Sequence, residues 1–131
     1  MKSIEVVAAI IYYKDRILCV QRGENKYPYI SNKFEFPGGK LETGETKTEA
    51  IKREILEELN MNIDIQEEFL TVKHEYPDFK IIMHTFKCTC ESQELKLTEH
   101  ISMEWLSINE LKKLDWAAAD IPIVNKLIMN G

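Results

Sequence analysis

Residues 37–60 constrain this chain more than any other stretch. Thr46 followed three positions later by Glu49 forms a capping box, and Ala50, Ile51, Ile55 and Leu59 fall on one stripe at helical spacing. The pattern predicts a helix over residues 46–59, ended by Asn60, a residue type that tolerates the left-handed conformation of a helix terminus. Such a stripe needs a partner surface, and strands are legible on both sides of it. Residues 4–13 are an almost continuous apolar, β-branched run, Lys14-Asp15 interrupts, and residues 17–20 resume, which reads as a hairpin. Residues 22–35 read as a polar loop. Further strands are expected over 63–74, as one or two, and over 79–90 and 101–106, with Tyr76-Pro77-Asp78 as a turn. Ser107 opens a short helix through Leu114, and Ile121-Pro122 opens a last helix running to Met129. The predicted fold class is α+β, a mixed sheet with helices on its faces.

The 131 residues fit a single domain, 1–131, of a size that buries a core without disulfide staples. Seventeen basic residues against 22 acidic ones give a net charge of -5, the wrong sign for gripping a nucleic-acid polymer by counterion release. A small phosphorylated ligand remains open to such a protein if it recruits its own cations. No apolar run reaches a membrane span, and the start Met1-Lys2-Ser3-Ile4-Glu5 places an acid where a signal peptide is apolar, so a cytoplasmic protein is expected. Cys19, Cys88 and Cys90 are an odd number and draw no complete disulfide framework. Cys88 and Cys90 fall on one face of a strand, either as a metal or redox pair or as small core residues of a reduced protein. His74, His84 and His100 show no ligand spacing and read as structural or exposed.

The predicted helix carries Glu54, Glu57 and Glu58 at i, i+3 and i+4, on one side. On charge alone the patch is a solvated acidic face screened by Lys52 and Arg53. Its position directly after a Gly38-Gly39 loop lets carboxylates and backbone carbonyls share a hard cation, and magnesium, with its preference for oxygen and for substrate phosphates, suits that donor set. A P-loop is excluded, because Glu45 stands where that loop requires lysine.

Gly39, Glu45, Arg53, Glu54, Ile55, Glu57, Glu58 and Met61 together resemble the Nudix box, Gly-x5-Glu-x7-Arg-Glu-U-x-Glu-Glu-x-Gly-U with U bulky and aliphatic. One position departs: Asn60 replaces the last glycine. The resemblance implies an α/β/α sandwich and hydrolysis of a nucleoside diphosphate linked to another moiety. It implies Glu54, Glu57 and Glu58 as magnesium ligands, with manganese as a substitute and a backbone carbonyl at Gly38 or Gly39 completing them. Arg53 and Glu45 would orient the box. The remaining chain is similar to the MutT-type branch, in the residues 32–40, 75–78, 104–105 and 118–124. That branch cleaves nucleoside triphosphates to monophosphate and pyrophosphate, including 8-oxo-dGTP and (d)CTP-type substrates in nucleotide-pool sanitation.

The same resemblance marks Glu99 as a further metal-side glutamate or general base, against an exposed loop residue. The general base would come from Glu54, Glu57 and Glu99. Arg22 and Lys40 are candidate phosphate contacts, or solvated loop cations. Asp120 would read the nucleobase, either in place of or together with an N-cap role before Pro122. Phe36, Phe79 and Trp116 are candidates to stack on the base, each with a core reading beside it. Phe79 stands where some relatives carry a polar substrate contact, which weakens a guanine-type assignment. The expected partner is a small nucleoside triphosphate, with no nucleic-acid polymer and no membrane, in a monomer or homodimer. Hydrolysis of another diphosphate, such as a sugar nucleotide, and a non-catalytic binding module are the competing readings.

Overall fold

The computed structural model describes residues 1–130. Strands β1 (Lys2–Tyr13), β2 (Arg16–Arg22), β3 (Phe34–Glu35) and β4 (Gly38–Lys40) precede helix α1 (Lys47–Leu59). Strands β5 (Asp64–Glu75), β6 (Phe79–Thr89) and β7 (His100–Leu106) follow, and helix α2 (Ile121–Asn130) ends the described chain. The sheet runs β3-β2-β1-β6-β5, with β4 also on β1 and β7 on the other side of β2. β1 and β6 are parallel from Lys2↔Phe79 to Tyr12↔Thr89, while the other pairs are antiparallel, so the sheet is mixed as expected.

β1 is apolar almost throughout because both of its faces are covered. Val7, Ala9 and Ile11 join Ala50, Ile51, Ile55 and Leu59 of α1 in one core. Ala8 and Ile10 join Ile123, Val124 and Leu127 of α2 in the other. These two cores make the α/β/α sandwich. Cys88 is fully buried in the α1-side core and Cys90 packs against it, so their shared face serves packing; all three cysteines are free thiols.

The capping box forms: the Glu49 amide donates to Thr46 Oγ1 at 3.1 Å, and the Thr46 amide donates to Glu49 at 2.9 Å. Asn60 ends α1 in the left-handed region at φ 53°. Three expectations need correction. Residues 34–35 and 38–40 are short strands rather than loop, because β2 and β1 offer them open edges. The expected strand or two over 63–74 is a single one, β5, with two register shifts, at 65–67 and 68–70, which blur its alternation. The segment after Ser107 is a 3-10 helix, Ile108–Lys113. Asp120 ends a 3-10 turn, Ala118–Asp120, and its carboxylate accepts the Phe36 amide at 3.0 Å instead of capping α2.

Candidate active site

The box begins where β4 lies against β1. A side-chain carbon at Gly38 would overlap the Val7 carbonyl oxygen, and one at Gly39 would overlap the Glu54 carboxylate. Glycine at these two positions lets the strand reach β1 and lets an acidic side chain rest on bare backbone. Arg53 ties the loop to the helix. Its Nε and Nη2 donate to both Glu45 oxygens at 2.6 and 3.0 Å, Nη2 also reaches the Lys40 carbonyl at 3.2 Å, and Nη1 reaches Glu54 at 2.8 Å and Glu57 at 3.3 Å. The bond to Glu45 does most to hold the guanidinium charged, and Arg53 in turn keeps Glu45 below the usual carboxylate range.

Beside this junction opens a cleft of about 390 Å³. Glu58, Glu99, Gly38, Gly39 and Lys40 line its acidic end. Arg22, Phe36, Phe79 and Asp120, all singled out from sequence, line the rest. Glu54 does not line it but faces Glu58 closely enough to oppose its ionisation. Glu57 and Arg53 lie outside: the Glu57 side chain is 60% exposed and leans on Arg53. Trp116 sits behind Phe36, their rings stacked at 4.7 Å within the core. A larger cleft of about 530 Å³ lies just past the C-terminal end of α1 and takes only Asn60 and Met61 from the box.

Glu58 is pushed up to about 9, first by burial and then by the carboxylates of Glu54, Glu99 and Glu35. Its Oε2 is buried with no hydrogen-bond partner. Carboxylates gathered this way, with one oxygen left unsatisfied, form a donor set suited to a hard divalent cation. Among the described residues no three acidic, histidine or cysteine side chains stand in a ready-made cage, since Glu57 is held by Arg53. Asp120 is also raised well above its ordinary value, chiefly by burial and then by Glu35, a direction that favours the neutral carboxyl, which can donate as well as accept.

Three contributors escaped the sequence reading. Glu35 lines the cleft and accepts from Arg22 Nε and Nη2 at 3.1 and 3.0 Å. The His100 side chain is buried and reaches the other Glu35 oxygen at 3.1 Å. Tyr76 lines the cleft while its hydroxyl accepts the Ala119 amide at 3.0 Å. Glu35 alone carried a signal, as the acid inside Phe34-Glu35-Phe36, where alternation predicts apolar neighbours. Tyr76 also belongs to an aromatic clasp, of which it and Phe79 line the cleft. Tyr27 stacks on Tyr29, Tyr29 on Tyr76, and Phe79 touches both Tyr27 and Tyr76, while the Tyr29 hydroxyl donates to Asp78 at 2.6 Å. His84 is likewise buried, between Glu5 at 2.6 Å and Thr71 at 3.2 Å, outside the cleft lining.

A mixed sheet between two helices, with a carboxylate-bearing helix seated on a Gly-Gly strand, defines a hydrolase of the Nudix class. A family model described as NUDIX domain matches residues 6–126, and the chain belongs to that family. It is similar to the CTP pyrophosphohydrolase of Escherichia coli (strain K12), 35% identical over 95% of this chain and 90% of that one. It is also similar to the 8-oxo-dGTP diphosphatase of the same organism, 30% identical over 97% and 98%. Among solved structures, the DNA mismatch repair protein MutT of methicillin-resistant Staphylococcus aureus 252 shares 46% identity over the whole of both chains, with a TM-score of 0.76. The MutT protein of Methanosarcina mazei Go1 superimposes with a TM-score of 0.87 at 25% identity, covering 98% and 95%.

Proposed function

We propose that this chain is a magnesium-dependent nucleoside triphosphate pyrophosphohydrolase, turning NTP and water into NMP and pyrophosphate, with 8-oxo-dGTP or a (d)CTP-type nucleotide as substrate. One observation carries the reading: a single cleft joins the acidic end at Glu58 and Glu99 to the buried Asp120 carboxyl beside Phe36. That layout suits a ligand with phosphates at one end and a base at the other. The names of the two Escherichia coli relatives support the triphosphate class, and between them leave both bases in play.

Glu54, Glu57, Glu58 and Glu99, with a backbone carbonyl at Gly38 or Gly39, would hold magnesium or manganese. The cation supplies charge neutralisation on the phosphates and lowers the pKa of water. Arg53 sets the rotamers of Glu54 and Glu57. Arg22 and Lys40 face the phosphates, and one of Glu54, Glu57 and Glu99 takes the proton as water attacks the β-phosphorus in line, releasing the nucleoside monophosphate. Asp120 reads the base edge, with Phe36 and Phe79 as apolar walls. Residues 1–131 act as one domain, as a monomer or homodimer, in the cytoplasm; among the described residues no helix is long and apolar enough to cross a membrane.

The test is pyrophosphate release with magnesium across 8-oxo-dGTP, dGTP, CTP, dCTP, 5-methyl-dCTP and ADP-ribose, for the wild type and Glu57→Gln. A preferred triphosphate, with turnover lowered about a hundredfold or more in the variant, supports the reading. Turnover of ADP-ribose alone, or of nothing, overturns it.

A further inference from the structure

Glu99 stands between two pinned neighbours. On one side, Thr98 Oγ1 donates to the Glu58 carbonyl at 2.8 Å and the Thr98 amide reaches the same oxygen at 3.3 Å, tying the approach to β7 onto the last turn of α1. On the other side, the His100 side chain is only 6% exposed and its Nε2 meets Glu35 Oε2 at 3.1 Å. The other ring nitrogen, Nδ1, is buried without a partner. A bare lone pair there costs less than an unpaired N–H, so the ring carries its proton on Nε2 and donates to Glu35. The backbone is built for this contact. Gln21 pairs with Ser102 but Arg22 pairs with His100, so Ile101 is an extra residue and the strand bulges at the cleft. Bulges beside active sites re-aim side chains.

We propose that Glu35 is a positioning residue, a carboxylate that grips Arg22 on one side and His100 on the other and thereby fixes where Glu99 stands opposite Glu58. The inference rests on the reading that Glu99 lies on the cation side of the cleft. Glu35 spans β2, β3 and β7 with one side chain, and it can do so only as a carboxylate. A glutamine would present its NH2 group to either the guanidinium or the imidazole N–H, donor against donor. The expected consequence is a metal end that loosens when a residue outside the Nudix box is changed.

The test is Mn²⁺ binding followed by electron paramagnetic resonance in the wild type, Glu35→Gln, His100→Leu and His100→Gln, with a thermal melt of each. Weakening of Mn²⁺ binding by about tenfold is expected in Glu35→Gln and His100→Leu, the scale of residues that orient metal ligands. His100→Gln, whose amide N–H can reach Glu35, recovers most of the loss. Wild-type affinity in Glu35→Gln, or equal loss in the leucine and glutamine variants of His100, overturns the proposal. Should His100→Leu not fold, Glu35→Gln against His100→Gln decides alone. A wild type that binds Mn²⁺ and shows the series yet cleaves no triphosphate removes the substrate reading and keeps this one. A wild type that takes up no Mn²⁺ overturns both.

Discussion

Glu58 holds a proton in the folded chain that it would lose in the unfolded one. Its value rises from 4.5 to about 9 through burial, then Glu54, Glu99 and Glu35, so between those two pH values the folded state binds more protons. Stability without metal is therefore full below 4.5, as far as this group is concerned, and declines as pH rises toward 9. Melting curves in EDTA should show this decline, and Glu58→Gln, uncharged at every pH, should flatten it; an unchanged slope in the variant would contradict the assignment. Glu45 acts in the opposite direction. Arg53 lowers it, so its contribution is present above the ordinary carboxylate value and is lost as pH falls through the lowered one. At Gly38 the constraint is space. Gly38→Ala drives a methyl into the Val7 carbonyl, which has to move or release β4, and a loss of about 1–3 kcal/mol in chemical denaturation is expected.

The helix α1 is the element that local sequence specified most fully, because its cap, its stripe and its stop depend on residues within a few positions of one another. Thr46→Ala should cost about 1 kcal/mol by removing the cap, and Ile55→Ala, which empties a fully buried site, about 2–5 kcal/mol, both read from urea unfolding. Asn60→Gly should be neutral or stabilising, since glycine adopts φ 53° without the strain an asparagine bears. The same local logic put Glu54, Glu57 and Glu58 on one side of α1, whereas the pairing of Arg53 with Glu45 followed from the resemblance to the Nudix box. It did not reveal that Glu57 turns outward, because three spaced carboxylates state a helix face and not a rotamer. Elements defined by distant pairing were less legible. β3 and β4 are too short to show a period, and they exist because Val20 and Val7 lie opposite them. The Glu35–His100 contact joins residues 65 apart and depends on a bulge that no alternation pattern announces. Local pattern leaves Asp120 open to a helix-cap reading, and only its contact with the Phe36 amide, 84 residues away, excludes it.

At the scale of the molecule, β1 touches both cores and carries β2, β4 and β6. Its near-unbroken apolar run marks it as a strand, whereas the sandwich followed from the family resemblance and the parallel pairing with β6 depends on the intervening α1 and β5. The cleft draws its acidic end from α1, β4 and the approach to β7, and its other end from β3, the 76–79 turn and the start of α2. The two ends of the cleft thus rest on different pieces of chain. The aromatic clasp has a consequence for how such a chain can change. Tyr27 and Tyr29 come from one excursion and Tyr76 and Phe79 from another, and each ring is shaped to the other set. Grafting either excursion alone from a relative would leave its rings facing strangers, so the two are expected to be inherited, and to be exchangeable in chimaeras, only as a pair.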